Sequence, residues 1–230
     1  MKDNWHDPKF AMGWDADAAV NNPSRARLLD LLLTIITDSY SNDGMILDLG
    51  FGTGLVEEMI FNKIPAAQIV GVDSSEAMIA KAEDRLKGRN MITIQHDLNE
   101  IKNLKLPQGQ YQFAITSFAL HEIPSIHKQE IFKFIYKNLV SGGMYVLVDR
   151  FKIESDSLAS AYESQWRSQT KSATWTDWKE PFAEYKKRMS IKEDFPDLVE
   201  DQLAWLRESG FKAACLQLEF DRGLIVGLKS

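Results

Sequence analysis

The chain has 230 residues, of which 44% are hydrophobic and 26% charged, and this suits one α/β domain with a substantial core. Its formal net charge of -6 argues against non-specific nucleic-acid binding through a broad basic surface. A single cysteine excludes an internal disulfide framework and favours a reducing, cytoplasmic location.

Residues 1–22 form a polar N-terminal segment that carries three large aromatic side chains, Trp5, Phe10 and Trp14. So many aromatics in a short polar segment predict that it docks on another part of the molecule. The segment lacks the apolar region of a secretory signal, so we expect no secretion.

A helix is predicted over residues 24–40, followed by a Ser-Asn-Asp-Gly turn at 41–44. Its apolar stretch, residues 28–36, is interrupted by Asp30 and Thr34 and is too short to span a bilayer. We therefore expect a buried helix and no membrane partner.

Residues 45–73 are the most informative part of the chain, because they have the pattern of a βαβ unit. The first apolar run ends in Asp48, and the second ends in Asp73. The loop after the first run holds three glycines at alternate positions, Gly50, Gly52 and Gly54. Glycine accepts positive φ and lets a ligand approach the backbone. A carboxylate at position 73 is placed to accept from both hydroxyls of a ribose, and the alternative role of Asp73 is to cap the following helix.

The glycine spacing distinguishes between adenosine cofactors. A dinucleotide loop is G-x-G-x-x-G, whereas this loop is G-x-G-x-G and has Leu55 where the third dinucleotide glycine would stand. A carboxylate at Asp48 would repel a pyrophosphate but attract an ammonium group. The loop therefore favours a zwitterionic, phosphate-free adenosine ligand, and the alternative is an ordinary tight turn of an α/β domain.

Residues 48–54, Asp-Leu-Gly-Phe-Gly-Thr-Gly, resemble the first motif of class I S-adenosylmethionine (SAM)-dependent methyltransferases, D/E-x-G-x-G-x-G. The resemblance covers about residues 25–150. It implies a Rossmann-like α/β fold with a mostly parallel seven-stranded sheet, a C-terminal antiparallel hairpin and helices on both faces. It also implies SAM as the cofactor, held by Asp48, the three glycines and Asp73.

The next helix is predicted to begin around Ser74, which we include among the cofactor-binding residues, and to end before Gly88. Met78, one turn into it, is expected either to lie over the adenine or to fill the core. After a third strand at 91–95, the resemblance implies that Asp97 accepts from the adenine amino group and that Leu98 offers its backbone N–H. The alternative for Asp97 is a solvated acid at a strand end.

A fourth strand, residues 111–118, is highly apolar and is therefore predicted to be central. In the resembling family the segment after this strand lines the methionine part of the cofactor and faces the acceptor. Ser117 is accordingly predicted to contact the cofactor, and His121 is predicted to act as general base, since imidazole titrates near neutral pH. The alternative is that His121 ties down the loop. Glu122 is expected to orient His121 or to face solvent.

The alternation continues with a helix at 126–139, a Ser-Gly-Gly turn and a fifth strand at 144–149. A closing helix near 196–209 follows the insertion described below. Two strands joined by a short turn are predicted to form an antiparallel hairpin, residues 212–220 and 224–228.

We expect a single domain over residues 1–230, in which 25–151 is the SAM-binding core and 196–230 closes the fold. The N-terminal segment and the helical, aromatic-rich insertion at 152–195 are predicted to cap the active site, and Trp14 is predicted to contact the acceptor. The alternative is that these aromatics pack on each other or across a homodimer interface.

The region from Tyr162 to Gly210 resembles carboxy-S-adenosylmethionine synthases, enzymes of tRNA modification, in its basic cluster, its methionine and its Gly-Phe helix end. That resemblance implies that Arg188 contacts the carboxylate of the substrate. The glycine motif differs from theirs.

The leading hypothesis is a methyltransferase that moves the sulfonium methyl of SAM to a small-molecule acceptor by in-line displacement. A carboxy-S-adenosylmethionine synthase-like enzyme and a non-catalytic SAM-binding protein are the alternatives. The four histidines have no metal-ligand spacing, so no metal site is expected. No P-loop or nucleophile elbow is present, which speaks against an NTPase or a hydrolase.

Overall fold

The structure, a computed structural model, describes residues 5, 7, 9, 24–41, 43–153, 156–172, 181–191 and 194–230. Trp14, which was predicted to contact the acceptor, lies outside the described residues, as does most of the N-terminal segment.

Helices and strands alternate along the described chain. The helices are α1 (Arg25–Ser39), α2 (Leu55–Lys63), α3 (Glu76–Arg85), α4 (Ser125–Asn138), α5 (Ala159–Ser172), α6 (Phe182–Ser190) and α7 (Val199–Glu208). The strands are β1 (Met45–Leu49), β2 (Gln68–Asp73), β3 (Met91–Gln95), β4 (Tyr111–Ser117), β5 (Leu139–Arg150), β6 (Lys212–Glu219) and β7 (Arg222–Leu228). Three short 3-10 helices lie at Leu98–Asn103, Leu120–Glu122 and Asp156–Leu158.

The seven strands form one sheet in the order β3-β2-β1-β4-β5-β7-β6. The pairs from β3 to β5 are parallel, and β7 pairs antiparallel with both β5 and β6. The most apolar strand, β4, is the middle strand of the seven. The predicted fold, with a parallel sheet that ends in an antiparallel hairpin, is confirmed.

Alternate residues of the strands are buried on opposite faces of the sheet. Leu47 and Leu49 of β1 pack in a cluster with α4, α7 and the 3-10 helix at Leu98–Asn103, whereas Ile46 packs with α1 and α2. Two helical layers therefore cover the sheet, and the loops at the carboxyl ends of β1, β2 and β4 meet at one edge between them.

Three details differ from the sequence prediction. The fifth strand begins at Leu139, so Gly142 and Gly143 lie within it, and a register shift in the β4–β5 pairing accommodates them. The hairpin turn is shorter than predicted, because Arg222 already pairs with Glu219 across it. Phe220 makes that turn with a φ of 59°, a conformation that the pattern of side chains did not indicate.

The insertion contains α5 and α6, whose aromatic side chains pack on the hairpin turn. Trp166, Phe182 and Tyr185 form a buried cluster with Phe220, and the rings of Trp166 and Tyr185 are 4.4 Å apart. These aromatic side chains of the insertion therefore pack on each other, which is one of the alternatives predicted for them.

Within the described part of the chain, no helix is both long enough and apolar enough to cross a membrane.

Candidate functional site

A cleft opens at the carboxyl ends of β1, β2 and β4, the edge where ligands bind in open α/β sheets. Its lining comes from the N-terminal segment, from α1 and from every loop at this edge between β1 and α4. The lining residues are Trp5, Arg25, Asp48, Gly50, Phe51, Gly52, Thr53, Leu55, Val56, Asp73, Ser74, Met78, Asp97, Leu98, Ser117, Phe118, Ala119, Glu122 and Ile123.

The glycine loop shows why glycine is needed at two of its positions. Gly50 has a φ of 84°, and a Cβ there would lie 2.4 Å from the Cβ of Ala119. Gly52 has a φ of 59°, and a Cβ there would meet nothing within 4 Å. Gly50 therefore allows two loops to approach, whereas Gly52 leaves open space in the cleft.

Gly54 has a different environment from the other two glycines. It caps α2 with a φ of 77°, and a Cβ there would lie 3.0 Å from the Cβ of Ala82 on α3. Gly54 is not part of the cleft lining, and its backbone allows α2 and α3 to pack closely.

Asp73 ties two loops together at the end of β2. One carboxylate oxygen accepts from the N–H of Gly52 and the other from the N–H of Ser75, both at 2.9 Å. The cap of α3 is Ser75, whose hydroxyl accepts from the N–H of Met78. Ser75 rather than Asp73 therefore caps α3, and the Asp73 carboxylate lines the cleft while it holds both loops.

The N-terminal segment reaches this edge at Trp5. The backbone carbonyl of Trp5 accepts from the hydroxyl of Ser75 at 2.5 Å, and Trp5 lines the cleft. Ser74 is exposed at the rim, and Met78 is buried beneath it.

The end of β3 contributes Asp97 and Leu98. Asp97 is exposed and caps the 3-10 helix, because its carboxylate accepts from the backbone N–H and the side-chain amide of Asn99. Leu98 is buried and presents its side chain to the cleft.

The end of β4 is strained. Phe118 has a φ of 54°, which is costly for a residue with a side chain and is typical of functional sites. The guanidinium of Arg25 stacks on its ring at 5.3 Å. Next to it, the hydroxyl of Ser117 is buried without a hydrogen-bond partner among the described residues.

Asp48 is buried at the floor of the cleft, and Glu57 on α2 is buried beside it. Burial raises the pKa of the Asp48 carboxyl well above its usual value, and the neighbouring charges of Glu57 and Asp73 raise it further. The pKa of Glu57 is also raised, mainly by burial. Glu57 is a residue that sequence reasoning missed, because it lies in the segment that was interpreted only as the helix of the βαβ unit.

His121 lies beside the cleft but is not part of its lining. Its ring Nδ1 is 2.6 Å from one oxygen of the buried Asp149, and its backbone N–H donates to the other oxygen at 3.0 Å. Its Nε2 lies 3.5 Å from Glu122, which does line the cleft. Asp149 therefore anchors the loop and orients the imidazole at once, so both roles considered for His121 are compatible with this geometry.

One group of described side chains is close enough to hold a metal ion. Ligand atoms of His121, Glu122 and Asp194 lie within 4.8 Å of one another, and Asp194 also forms an ion pair with Arg150. The expectation of no metal stays a prediction.

A second cavity lies beneath the insertion, at the carboxyl end of β5. It is lined by apolar and aromatic side chains of α5 and α6, together with Arg150, Lys186 and Asp221. Arg188 lies outside both cavities: it is exposed on α6, and its guanidinium stacks on Tyr185 at 5.4 Å.

The structure thus gathers nine of the ten predicted cofactor-binding residues in one cleft, all except Gly54. Sequence reasoning did not single out Arg25 and Phe118, which also line the cleft. Trp5 was expected to dock on another part of the molecule and Glu122 to orient His121 or to face solvent, and both lie in the cleft lining.

Part of the chain is similar in sequence to known proteins. A protein-family model described as a methyltransferase domain matches residues 46–143. Carboxy-S-adenosyl-L-methionine synthase of Actinobacillus succinogenes is 27% identical over 118 residues, covering 50% of this chain and 48% of that protein. The enzyme of the same name from Dichelobacter nodosus is 30% identical over 153 residues, covering 66% and 63%. The chain thus spans about half to two thirds of the length of these relatives.

Solved structures share the fold. Human N-acetylserotonin methyltransferase in complex with SAM is 14% identical, with a TM-score of 0.62 and coverage of 97% of this chain and 55% of that one. Magnesium protoporphyrin IX methyltransferase of Synechocystis PCC 6803, with bound S-adenosylhomocysteine, is also 14% identical, with a TM-score of 0.58 and coverage of 89% and 83%.

Residues 46–143 therefore match a methyltransferase domain, and the chain has the fold of the class I SAM-dependent methyltransferases. The predicted resemblance to that class is confirmed over the matched residues and in the fold, and the resemblance to carboxy-S-adenosylmethionine synthases is confirmed as a similarity of sequence.

Proposed function

We propose that the protein binds SAM in this cleft and transfers its methyl group to a small-molecule acceptor. The observation that carries the proposal is the glycine loop, whose backbone leaves open space at Gly52 between Asp48 and Asp73. The residues present fit the cofactor, since two carboxyls suit its hydroxyls and its ammonium group. When bound, SAM supplies a methyl group on a positively charged sulfur that leaves as a neutral thioether.

The order of strands supports one direction for the cofactor. Asp97 follows β3, Asp73 ends β2, and Asp48 lies on β1 beside Ser117 of β4. Adenine would accordingly lie near β3, the ribose at Asp73 and the amino-acid part near Asp48. The transferred methyl group then points toward the segment after β4.

His121 is the residue best placed to handle a proton on the acceptor side. Because Asp149 accepts a hydrogen bond from Nδ1, the neutral ring keeps its lone pair at Nε2. A proton leaving the acceptor would be taken up at that nitrogen. An acceptor that is already a good nucleophile needs no base, and His121 would then position the loop.

The second cavity supports a small acceptor. It adjoins β5, next to Asp149, and is lined by Tyr162, Phe182 and Tyr185 together with Lys186. Aromatic walls of this kind hold a planar or cationic molecule, while Lys186 at the mouth suits a negative substituent. The single cysteine also supports a reducing, cytoplasmic location.

Carboxy-S-adenosylmethionine synthesis is the second candidate, favoured by the relatives of that name. The resemblance to those enzymes assigns the carboxylate contact to Arg188, which is exposed outside the cleft, whereas the arginine in the described lining is Arg25. The methyltransferase proposal is preferred because the residue assigned to that contact does not line the cleft.

The test is to incubate the protein with SAM and a panel of small acceptors and to measure S-adenosylhomocysteine by mass spectrometry. Methyl transfer predicts stoichiometric S-adenosylhomocysteine and an acceptor heavier by one methylene unit. Binding of SAM without product for any acceptor would favour a non-catalytic SAM-binding protein, and a carboxylated nucleoside would favour the second candidate.

A further inference from the structure

Two carboxyl groups meet at the floor of the cleft, and the proposed reaction does not use one of them. Asp48 is 1% exposed and Glu57 is 0% exposed. Asp48 lines the cleft, whereas Glu57 lies in the first turn of α2, outside the lining. Acids are almost never buried this completely unless they are paired.

Neither carboxyl is neutralised by a donor. Apart from the contact between the two carboxyls, none of the four oxygens accepts a hydrogen bond from a donor on another described residue. The two side chains are nevertheless within hydrogen-bond reach of each other. Two carboxylates have no hydrogen between them, so such a contact requires that one carboxyl of the pair be protonated.

The surrounding charges also favour one proton on the pair. Asp73 on β2 adds a negative charge that opposes ionisation of both groups. From α3, Arg85 acts on Glu57 through its field, while its guanidinium donates to the carbonyl and hydroxyl of Thr53 at 2.9 and 3.1 Å. On the sheet side Tyr145 is buried, and its pKa is raised. Among the described residues, no cationic side chain donates a hydrogen bond to either carboxyl of the pair.

We propose that Asp48 and Glu57 together form the subsite for the ammonium group of the cofactor, and that their shared proton is released to solvent when the ammonium group binds. This inference rests on the proposed function, since it assigns the amino-acid end of SAM to β1. An ammonium ion beside the pair favours the doubly ionised form, because it replaces the proton as the positive charge between the two carboxyls. Glu57 thereby makes affinity for SAM depend on pH.

The experiment is calorimetric titration of SAM into the protein at several pH values between 4.5 and 8, in buffers of different ionisation enthalpy, which gives the number of protons released. At pH values below the raised pKa of the pair, the wild type should release up to one proton, and its affinity should rise with pH by up to about tenfold per pH unit. Glu57→Gln keeps the side-chain shape but carries no ionisable proton, so it should bind SAM with little proton release. Glu58→Gln is the matched control, since Glu58 is its half-exposed neighbour and faces Arg85; it should behave as the wild type.

Two further measurements separate this pair from other sources of protons. 5′-Methylthioadenosine lacks the ammonium group, so its binding should release equal numbers of protons from the wild type and from Glu57→Gln.

Without ligand, the pKa values of both acids are higher in the folded than in the unfolded chain. Below about pH 4 the buried pair therefore does not lower the free energy of unfolding. As pH rises through the pKa values of the folded chain, the pair lowers the free energy of unfolding increasingly. The melting temperature of Glu57→Gln should accordingly rise relative to that of the wild type as the pH is raised from 4.5 to 8.

Equal proton release by the wild type and Glu57→Gln on binding SAM would overturn the subsite while leaving the proposed function intact. Failure of the wild type to bind SAM at all would contradict the proposed function and the subsite together.

Discussion

Replacement of Asp73 by alanine is expected to weaken SAM binding and to loosen the glycine loop. The carboxylate holds the N–H groups of Gly52 and Ser75, each at 2.9 Å, so the substitution removes two anchoring bonds as well as the acceptor for the ribose. A hydrogen bond to a charged group contributes about 1.5–3 kcal/mol. We expect the affinity for SAM to fall by on the order of 1.5–3 kcal/mol, which is about 10- to 150-fold in Kd.

Calorimetry of SAM binding measures this change, and thermal unfolding without ligand measures the loss of the loop anchors. Asp73→Asn provides the comparison, since its amide keeps one acceptor oxygen and should fall between the alanine variant and the wild type in both measurements. An unchanged Kd for Asp73→Ala, in a protein that is still folded, would refute the assignment of Asp73 to the ribose.

Three further predictions follow from the same edge of the sheet. Gly50→Ala should lower the melting temperature measured by circular dichroism, because its Cβ would meet Ala119. Gly52→Ala should mainly weaken SAM binding measured by calorimetry, because its Cβ would enter the open space of the cleft. His121→Asn should lower turnover by roughly 10²–10⁴ with nearly unchanged SAM affinity if the imidazole is a base, and a joint loss of stability and affinity would show an anchoring role instead. NAD should bind poorly because Leu55 replaces the third dinucleotide glycine, and micromolar affinity in the same calorimeter would contradict the choice of cofactor.

The architecture could be predicted because its signals are local. Short apolar runs, each ended by a polar residue and followed by a helix, define a parallel sheet, and the apolar run of β4 identifies the central strand. The sequence prediction is wrong where contacts between distant segments determine the backbone conformation. Gly142 and Gly143 are read as a turn, yet they lie within strand β5, at the register shift of its pairing with β4, where they exchange backbone hydrogen bonds with Lys229 just after β7.

The cofactor side of the cleft was also predictable, because the chain order of the strands brings Asp48, Asp73 and Asp97 to the same edge. The remaining features depend on contacts between distant segments. The partner of His121 is Asp149, 28 residues away, and Trp5 reaches Ser75 across 70 residues. No periodicity in the sequence encodes such pairs.

The most direct test of the central claim is the mass of the nucleoside that remains bound to the protein after purification in the presence of cell metabolites. We expect the bound nucleoside to be SAM or its demethylated product, S-adenosylhomocysteine, and we expect added SAM to displace it. A bound dinucleotide that SAM does not displace would contradict the proposed function.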